Sequence, residues 1–439
     1  MSLAAGVGIG TIGLGQPAPN QTEGWSIAAV NAQSDSPMNG DVAALAGLRV
    51  LEVGGQVSAA YATRLLADLG ADVIKVEAPD GDETRRTGPF PGDTPHPEKS
   101  GLFLHLNANK RGITLNLSEA TGRDVLLGLT READVVVETL PPQLSERWKL
   151  TPSDFHGANP ELIVTSLTRF GHTGPYRNHH GYDLTSGALG GICNYLGSVD
   201  RPLLAPPEHI VEYESGLNAA VATMIGVLAG AGGQHIDISE SDVWATIQNG
   251  MGVIEYIHGG RAFARIGRGV RGGPYPNAIL PCKDGYIRAI CIQRREWDQF
   301  LGVMGNPEWA NDPRFQDRVK MNEFHAEELD GHLIKWMADK TKEEVFRLCQ
   351  DAGVPFGPVN TVQEIVEDPA FSGWFTEVDH PEVPGLRQVA PPFLLSATPA
   401  SIRRPAPLLG QHNTEILSDL GMDPDAPAHF EPTASSEEA

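Results

Sequence analysis

Residues 48–77 read LRVLEVGGQVSAAYATRLLADLGADVIKVE and contain three elements in order. Leu48–Val53 is a short apolar run with β character that ends in two glycines. Apolar residues then recur every four positions from Val57 to Leu69, which is typical of an amphipathic helix. A glycine follows, and Val73–Val76 reads as a second strand. The stretch therefore predicts a strand–helix–strand unit.

The same pattern repeats towards the C-terminus. A helix is expected over residues 118–129, followed by a strand at Val135–Val137. A short helix at Leu144–Trp148 leads to a further strand at Leu162–Leu167. Strands that alternate with helices predict an α/β fold with a parallel sheet and helices on both faces.

Ligands of such sheets bind beyond the carboxyl ends of the strands. In this sequence those ends are Gly54-Gly55, Glu138-Thr139 and residues 168–171. The sequence therefore predicts a ligand site among these three segments.

The sequence divides into five regions by composition. Residues 1–43 are rich in Gly, Ala, Asn, Gln and Ser and are expected to be an N-terminal extension. Residues 44–255 form the predicted large domain, and the residue composition changes at a Gly/Arg-rich loop near 265. Residues 265–360 are expected to form a smaller α+β domain. The Pro-rich segment 368–424 is expected to complete the large domain, and residues 425–439 to be a polar tail.

The composition excludes several classes of protein. The 439 residues include 33 Lys+Arg and 56 Asp+Glu, which gives a formal net charge of −23. Such an acidic chain argues against nucleic acid as a partner, because phosphate binding requires a basic face. An anionic small molecule would need a local basic pocket. No apolar run is long enough to span a membrane, so no membrane partner is expected.

The cysteines and the N-terminus predict a cytoplasmic protein. The four cysteines contain no CxxC pair and are expected to be reduced and buried. The first residues have no cationic segment of the kind that opens a secretory signal. The histidines, including the pair His179-His180, lack the spacing of a metal site, and no metal is expected.

Seven further segments together resemble a known family. They lie in order across about residues 46–420 and are Leu65–Glu77, Asn109–Arg111, Asp134–Glu138, Gly171–Tyr176, Gly181–Asp183, Ala352–Val359 and Ala406–His412. As an ordered set they resemble the family III CoA-transferases, a group that also includes formyl-CoA transferase, carnitine CoA-transferase and α-methylacyl-CoA racemase.

The resemblance implies a fold and a chemistry. The implied fold has a Rossmann-like large domain made from both chain ends, a small domain, and an interlocked homodimer with active sites between large and small domains. The implied reaction moves CoA from an acyl-CoA to a free carboxylic acid. A protein carboxylate attacks the thioester and forms a mixed anhydride, and the CoA thiolate then returns to form an enzyme thioester. Such a site needs an ionised carboxylate, donors for an oxyanion and exclusion of water.

The resemblance places the nucleophile at Glu212. Family members carry an Asp four residues before a helical Gly, and counting back from Gly216 gives Glu212. Glu is one methylene longer than Asp, which moves the carboxylate by about 1.5 Å. A helix expected to begin near Ser215 would favour the ionised form. The alternative is a solvated Glu before a helix, like its neighbours Glu208 and Glu214.

Tyr182 and Asp183 match the part of the family pattern that positions the acyl group. The racemase branch has His where this chain has Tyr182, and that His is one of the two bases that racemisation needs. Neighbouring His180 is a candidate substitute. The alternative for Tyr182 is an aromatic residue packed in a loop at the sheet edge.

The resemblance also implies a set of CoA contacts. Arg147 matches a family Arg that contacts the nucleotide, and Arg111 could reach phosphate oxygens unless it is simply part of a solvated turn. The other implied contacts are Leu115, Asn116 and Leu117 along the adenine, Thr139 and Leu140 after the third predicted strand, and Val57 and Ser58 after the first. Val57 stands where formyl-CoA transferase has Gln, and Gln56 lies one place earlier.

Gly272 and Gly273 belong to the Gly/Arg-rich loop. The resemblance implies that this loop closes over the thioester, where glycines bring backbone N–H groups close to an oxyanion. The alternative is a connector between the two domains.

Three functions stay open at this point. The leading hypothesis is a CoA-transferase that uses coenzyme A thioesters with Glu212 as nucleophile. The second is an acyl-CoA racemase or isomerase, and the third is a non-catalytic acyl-CoA-binding protein.

Overall fold

The structure, a computed structural model, describes residues 43–194, 196–198, 200–247, 252–260, 265 and 273–422. All but the last residue of the expected N-terminal extension lies outside the described residues. The expected polar tail 425–439 and Gly272 also lie outside them.

Six parallel strands form the main sheet. They are β1 Arg49–Val53, β2 Asp72–Glu77, β3 Arg111–Thr114, β4 Val135–Glu138, β5 Ile163–Thr168 and β6 Gln234–Ser239. Their order across the sheet is β3-β2-β1-β4-β5-β6. In this order the chain reverses its direction of travel between β1 and β4, as in doubly wound dinucleotide-binding folds. The predicted parallel sheet is confirmed, although β3 and β6 were not predicted.

Helices cover both faces of this sheet. The helices of this part of the chain are α1 Val57–Asp68, α2 Gly101–Asn107, α3 Ala120–Thr130, α4 Pro142–Trp148, α5 Pro152–Ala158, α6 Asp183–Leu189, α7 Ile210–Ala229, α8 Glu240–Ile247 and α9 Val253–Gly259, of which α9 has no buried residue. Successive residues of a strand point to opposite faces. Val50 of β1 accordingly packs with α1 and α7. Its neighbour Leu51 packs with α3 and α5 on the other face.

A second core forms around a smaller antiparallel sheet, within the range predicted for the small α+β domain. The sheet has the order β7-β8-β9, with β7 Asn277–Cys282, β8 Gly285–Ile290 and β9 Gly357–Pro358. Its helices are α10 Arg294–Val303, α11 Arg318–Phe324, α12 Ala326–Met337 and α13 Lys342–Asp351. A capping box starts α13, in which Thr341 and Glu344 each bind the other's backbone N–H.

The C-terminal segment returns to the main sheet. It contains α14 Val362–Glu367, the antiparallel strands β10 Phe375–His380 and β11 Val383–Val389, and α15 Asn413–Asp419. The backbone N–H of Ser401 donates to the carbonyl of Asp68 at 3.0 Å. Ile416 and Leu417 of α15 are buried in the same core as α3. Single 3-10 turns lie at Glu83–Arg86, Pro91–Asp93, Ile192–Asn194, Glu308–Asn311, Pro313–Phe315 and Pro369–Trp374.

A buried ionic network joins the first three strands. Glu52 of β1 has no exposed surface and accepts from Lys75 at 2.6 Å and from Lys110 at 2.7 Å. Lys75 also pairs with Asp82 at 2.6 Å, in the segment that follows β2. Burial opposes ionisation of Glu52, but the two ammonium groups outweigh it and lower its pKa to about 2. Losing one member of such a network leaves an unpaired buried charge, which typically costs about 3–5 kcal/mol.

Helix α7 is buried on one side only. Its inner side approaches α1 closely at Gly216. A Cβ added there would lie 2.5 Å from the carbonyl oxygen of Ser58. The opposite side exposes Leu217, Val221, Ile225 and Leu228, at 44%, 54%, 63% and 80%.

Two further features are observed. None of the helices within the described residues has both the length and the apolar character to cross a membrane. All four cysteines are free; Cys291 and Cys349 are buried, whereas Cys193 and Cys282 are partly exposed, so the expectation that all four are buried is wrong for two of them.

We expect Gly216→Ala to destabilise the protein by about 1–3 kcal/mol, because the added methyl group forces α1 and α7 apart. Urea unfolding measures the change. The matched control is Gly331→Ala in α12, where an added Cβ meets no atom within 4 Å. The control should raise stability by about 0.4–1 kcal/mol through loss of backbone freedom in the unfolded chain. Equal effects of the two substitutions would contradict the close contact.

Candidate active site

Three cavities open at the carboxyl edge of the main sheet, around the point where strand order reverses. Gly54–Gln56 follow β1, Thr139 follows β4 and Arg169 follows β5. Crevices form at this point because the helices after β1 and β4 leave on opposite faces. Gln56 lines all three cavities, so they adjoin one another.

The first cavity, here called the switch-point cavity, is lined by the segments that follow β1, β2, β3 and β4. Five predicted CoA contacts line it: Leu115, Asn116, Leu117, Thr139 and Leu140. Gly54 is required where this wall is tightest. Its φ is +112°, and a Cβ there would lie 2.1 Å from the hydroxyl oxygen of Thr139.

The second, here called the arginine cavity, has no carboxylate among its lining residues. Its charged and titratable side chains are Arg169, Arg177, His179 and His180. Gln56 and Thr139 join it to the switch-point cavity. Both arginines are paired with carboxylates outside the lining, Arg169 with Glu212 and Glu240 and Arg177 with Glu146.

The third, here called the Glu212 cavity, contains three of the predicted catalytic and positioning residues. Glu212, Tyr182 and Asp183 all line it, together with Val57. Arg169 lines this cavity as well as the arginine cavity.

Glu212 lies in the first turn of α7. The helix begins at Ile210, five residues before the expected start near Ser215. Residue His209 precedes it in a left-handed conformation, with φ of 62°. The positive end of the helix dipole therefore lies at Glu212 itself and favours its ionised form.

A guanidinium and an imidazole hold the carboxylate of Glu212. Arg169 Nη2 donates to Oε1 at 3.0 Å, and His209 Nδ1 lies 2.8 Å from Oε2. Burial raises the pKa of Glu212, but the hydrogen bond to His209 and the charge of Arg169 outweigh burial and lower it. In turn, the hydrogen bond to Glu212 raises the pKa of His209. The site therefore presents an ionised carboxylate that is only 3% exposed.

Arg169 links Glu212 to a second acid. Its Nη1 donates to Oε2 of Glu240, the first residue of α8, at 2.6 Å. Burial lowers the pKa of Arg169, but Glu240 and Glu212 outweigh burial and raise it. Sequence reasoning missed Arg169, Glu240 and His209 as site residues. The position of Arg169 directly after β5 could have marked it as a site residue, whereas no spacing in the sequence marks Glu240 as one.

Asp183 bonds to the backbone of Glu212, whereas Tyr182 is largely exposed. The side chain of Asp183 accepts from the backbone N–H of Glu212 at 3.0 Å, and burial raises the pKa of Asp183. Tyr182 is 80% exposed, so it is not the packed aromatic of the alternative reading.

The other candidates lie apart from the cavities. Arg111 opens β3 at the opposite, amino edge of the sheet, where it pairs with Asp72 and Glu415. The structure therefore does not bring Arg111 to the other candidates, because the strand that carries it points its amino end away from them. Ser58 is fully buried, with its carbonyl against Gly216. Arg147 is exposed on α4, whose Leu144 and Trp148 line the switch-point cavity.

Gly273 is described by the structure, unlike Gly272. Its carbonyl accepts from the side chain of Asn322 at 3.1 Å. Among the described residues, no group of three or more His, Cys, Asp or Glu side chains could hold a metal ion.

The arrangement supplies the parts of a nucleophilic site for an anionic substrate. It combines an ionised carboxylate, two neighbouring donors, Arg169 and His209, and an adjoining cavity lined by arginine and histidine side chains. A buried carboxylate so placed can attack an electrophilic carbonyl, and the donors can stabilise the developing charge.

Comparison with known proteins agrees with this chemistry. Residues 45–413 match the family model described as CoA-transferase family III. The chain is similar to the succinate–glutarate CoA-transferase of Agrobacterium fabrum, with 29% identity over 86% of this chain and 95% of that protein. It is also similar to the formyl-CoA:oxalate CoA-transferase of Afipia carboxidovorans, with 32% identity over 86% of this chain and 93% of that protein.

A solved structure shows the same fold. A CAIB/BAIF family protein from Brucella suis superposes with a TM-score of 0.78 at 28% sequence identity. The match covers 87% of this chain and 100% of that protein.

We expect His209→Asn to lower the melting temperature more at pH 5.5 than at pH 8.5. Asn tolerates the left-handed backbone but cannot carry the charge. A raised pKa means that the His209–Glu212 pair contributes fully below the ordinary His value of 6.5 and is lost as the pH rises through the raised value.

Thermal unfolding at the two pH values measures the difference. In a Glu212→Gln background the pH-dependent part should disappear, because the partner charge is gone. A loss of the same size at both pH values in the wild-type background would contradict the ion pair.

Proposed function

The chain belongs to CoA-transferase family III and is an enzyme of that family; on this basis we propose that it moves CoA from an acyl-CoA to a free carboxylic acid through a covalent bond to Glu212. The observation that carries the proposal is the buried, ionised carboxylate of Glu212 in a cavity that adjoins the switch-point cavity through Gln56. Glu is one methylene longer than the Asp of the family pattern, and Arg169 and His209 hold the longer side chain in one position.

CoA is proposed to bind along the three adjoining cavities. Its adenosine end would occupy the switch-point cavity, against Leu115–Leu117. Its phosphates would meet the arginine cavity, where Arg177 and His180 line a space without carboxylates. Arg147, exposed on α4 beside the switch-point cavity, is proposed as a further phosphate contact. The thioester would then reach the Glu212 cavity.

In each step of the proposed reaction, one negative charge passes from the attacking group to the leaving group. The Glu212 carboxylate attacks the thioester carbonyl, the C–S bond breaks, and a mixed anhydride and CoA thiolate result. The thiolate attacks the Glu212 carbonyl and releases the donor acid as a carboxylate, which leaves a Glu212–CoA thioester. The acceptor carboxylate repeats both steps in reverse and restores ionised Glu212. Tyr182 and Asp183, which line the same cavity, are proposed to position the acyl group, and the loop with Gly272 and Gly273 to close over it.

The alternatives have weaker support. Racemisation needs a second base, and Tyr182 stands where the racemase branch has His. The similar proteins named above are both CoA-transferases.

We expect Glu212→Gln to lower the rate of CoA transfer at least about a thousandfold, the scale on which removal of a nucleophile acts. Wild-type protein incubated with acyl-CoA and then with hydroxylamine should carry a mass change at Glu212, whereas the variant should carry none. Mass spectrometry of the digested protein locates the change.

The matched control is Glu214→Gln, one acid further along the same helix. It should keep both the activity and the adduct. Unchanged turnover in the Glu212→Gln variant would reject the proposed chemistry.

We also propose an organisation for the whole protein. Residues 44–255 with 368–424 form the large domain, and residues 265–360 form the small one. The protein works in the cytoplasm, an assignment that the four free cysteines support. Two chains form an interlocked homodimer. The exposed apolar side of α7 supports the dimer, because four large side chains recur there along one helix face.

We expect the wild-type protein to have twice the 47.1 kDa chain mass by light scattering. Substituting both Ile225 and Leu228 with Asp should shift it towards the monomer, because two charges cannot be buried in an apolar interface. Val362→Asp is the control, since Val362 is equally exposed but lies on α14. A wild-type protein with the mass of one chain would contradict the dimer.

A further inference from the structure

Glu240 is a fully buried acid beside the proposed nucleophile. Its Oε2 accepts from Arg169 Nη1 at 2.6 Å and from the hydroxyl of Ser186 at 3.0 Å. Its Oε1 is also buried but has no hydrogen-bond partner in the part of the chain that the structure describes. An unused acceptor of this kind carries a free-energy cost, so its position next to an arginine calls for a reason.

Arg169 gives one donor to each of two carboxylates. Its Nη1 binds Glu240 and its Nη2 binds Glu212, while its Nε is buried without a partner among the described residues. A guanidinium and a carboxylate form their strongest contact as a bidentate pair. Arg169 and Glu240 touch through one bond only, because the second donor that a bidentate contact through Nη1 needs is Nη2, which Glu212 occupies.

The two acids therefore compete for one cation. Burial raises the pKa of Glu240; the charge of Arg169 opposes that rise, and the charge of Glu212 adds to it. As long as Glu212 is ionised, Arg169 divides its donors between the two carboxylates.

The charge balance changes when Glu212 reacts. This step rests on the proposed function: acylation converts the Glu212 carboxylate into a neutral anhydride or thioester, and the negative charge leaves with the thiolate or the released acid. Arg169, whose side chain is only 15% exposed, would then be a cation that has lost one of its two partners. Leaving such a cation unpaired is costly in a dry site.

We propose that Glu240 is a positioning residue. When Glu212 is acylated, Glu240 forms a second hydrogen bond with Arg169 and so stabilises the covalent intermediate. The unused Oε1 of Glu240 and the Nη2 of Arg169, which acylation of Glu212 releases, are the groups that the new contact would use. Retaining Arg169 on Glu240 also leaves the acylated Glu212 free of the guanidinium, so that the acceptor acid can approach it.

Neighbouring acids are not placed for this task. Asp183 lies close, but its carboxylate accepts from the backbone N–H of Glu212. Asp242 shares α8 with Glu240 but is exposed, and its backbone N–H bonds to the hydroxyl of Ser239.

The test measures the yield of the Glu212–CoA adduct with acyl-CoA and no acceptor acid. We expect Glu240→Gln to lower this yield at least roughly tenfold, because the acylated state loses the partner of Arg169. Asp242→Asn is the matched control and should keep the wild-type yield. Glu240→Asp should recover part of the yield, because it restores the charge.

A double-substitution cycle separates this role from a purely structural one. In an Arg169→Gln background Glu240 has no guanidinium to bind in the acylated state. Adding Glu240→Gln should therefore leave the adduct yield unchanged. The double variant Arg169→Gln/Glu240→Gln lacks both charges of the pair, and its yield relative to that of Arg169→Gln serves if Glu240→Gln alone does not fold. A further fall of the yield in this background would overturn the inference.

The outcomes also separate this inference from the proposed function. If wild-type protein binds CoA but forms no adduct at Glu212, both are rejected. If wild-type protein forms the adduct and Glu240→Gln forms it to the same yield, only the role of Glu240 is rejected.

Discussion

The buried charge of Glu52 is the constraint on which the carboxyl edge of the sheet depends. A carboxylate without exposed surface in the middle of a sheet must be matched by cations, and Lys75 and Lys110 supply them from β2 and from the residue before β3. Lys75 extends the network to Asp82, which lines the switch-point cavity. One set of buried ion pairs therefore fixes both the register of the first three strands and one wall of the cavity proposed to bind CoA.

The same rule of charge compensation governs the site on the other side of the switch point. Glu212 and Glu240 start two different helices, and Arg169 joins them from the end of β5. A carboxylate buried without cations would take up a proton and lose its nucleophilic character. Arg169 and His209 favour the ionised form of Glu212. The unused Oε1 of Glu240 is the acceptor through which Arg169 would be held in the proposed intermediate.

The strands of the central sheet were predictable because each carries a run of apolar residues, as β1, β2, β4 and β5 do. β3 was missed because it is four residues long and has one large apolar residue, Ile113. β6 was missed because its short alternation of polar residues with Ile236 and Ile238 is a weaker signal than the long apolar stretch of α7 before it. Among the candidate site residues, Thr139 follows a strand end, as its position predicts, and lines a cavity there. Arg111 was misplaced because a motif does not say which edge of the sheet it faces.

The sequence by itself determined the parallel α/β architecture, the family and the position of Glu212, because periodicity, strand ends and ordered motifs are local properties of the chain. Only the tertiary structure decided that Arg169, His209 and Glu240 surround that carboxylate. These residues come from a strand end, a left-handed turn and a helix start that are separated by up to 71 positions along the chain. Their charges become informative only when folding removes them from water, since a charge must then find a partner that the sequence does not name.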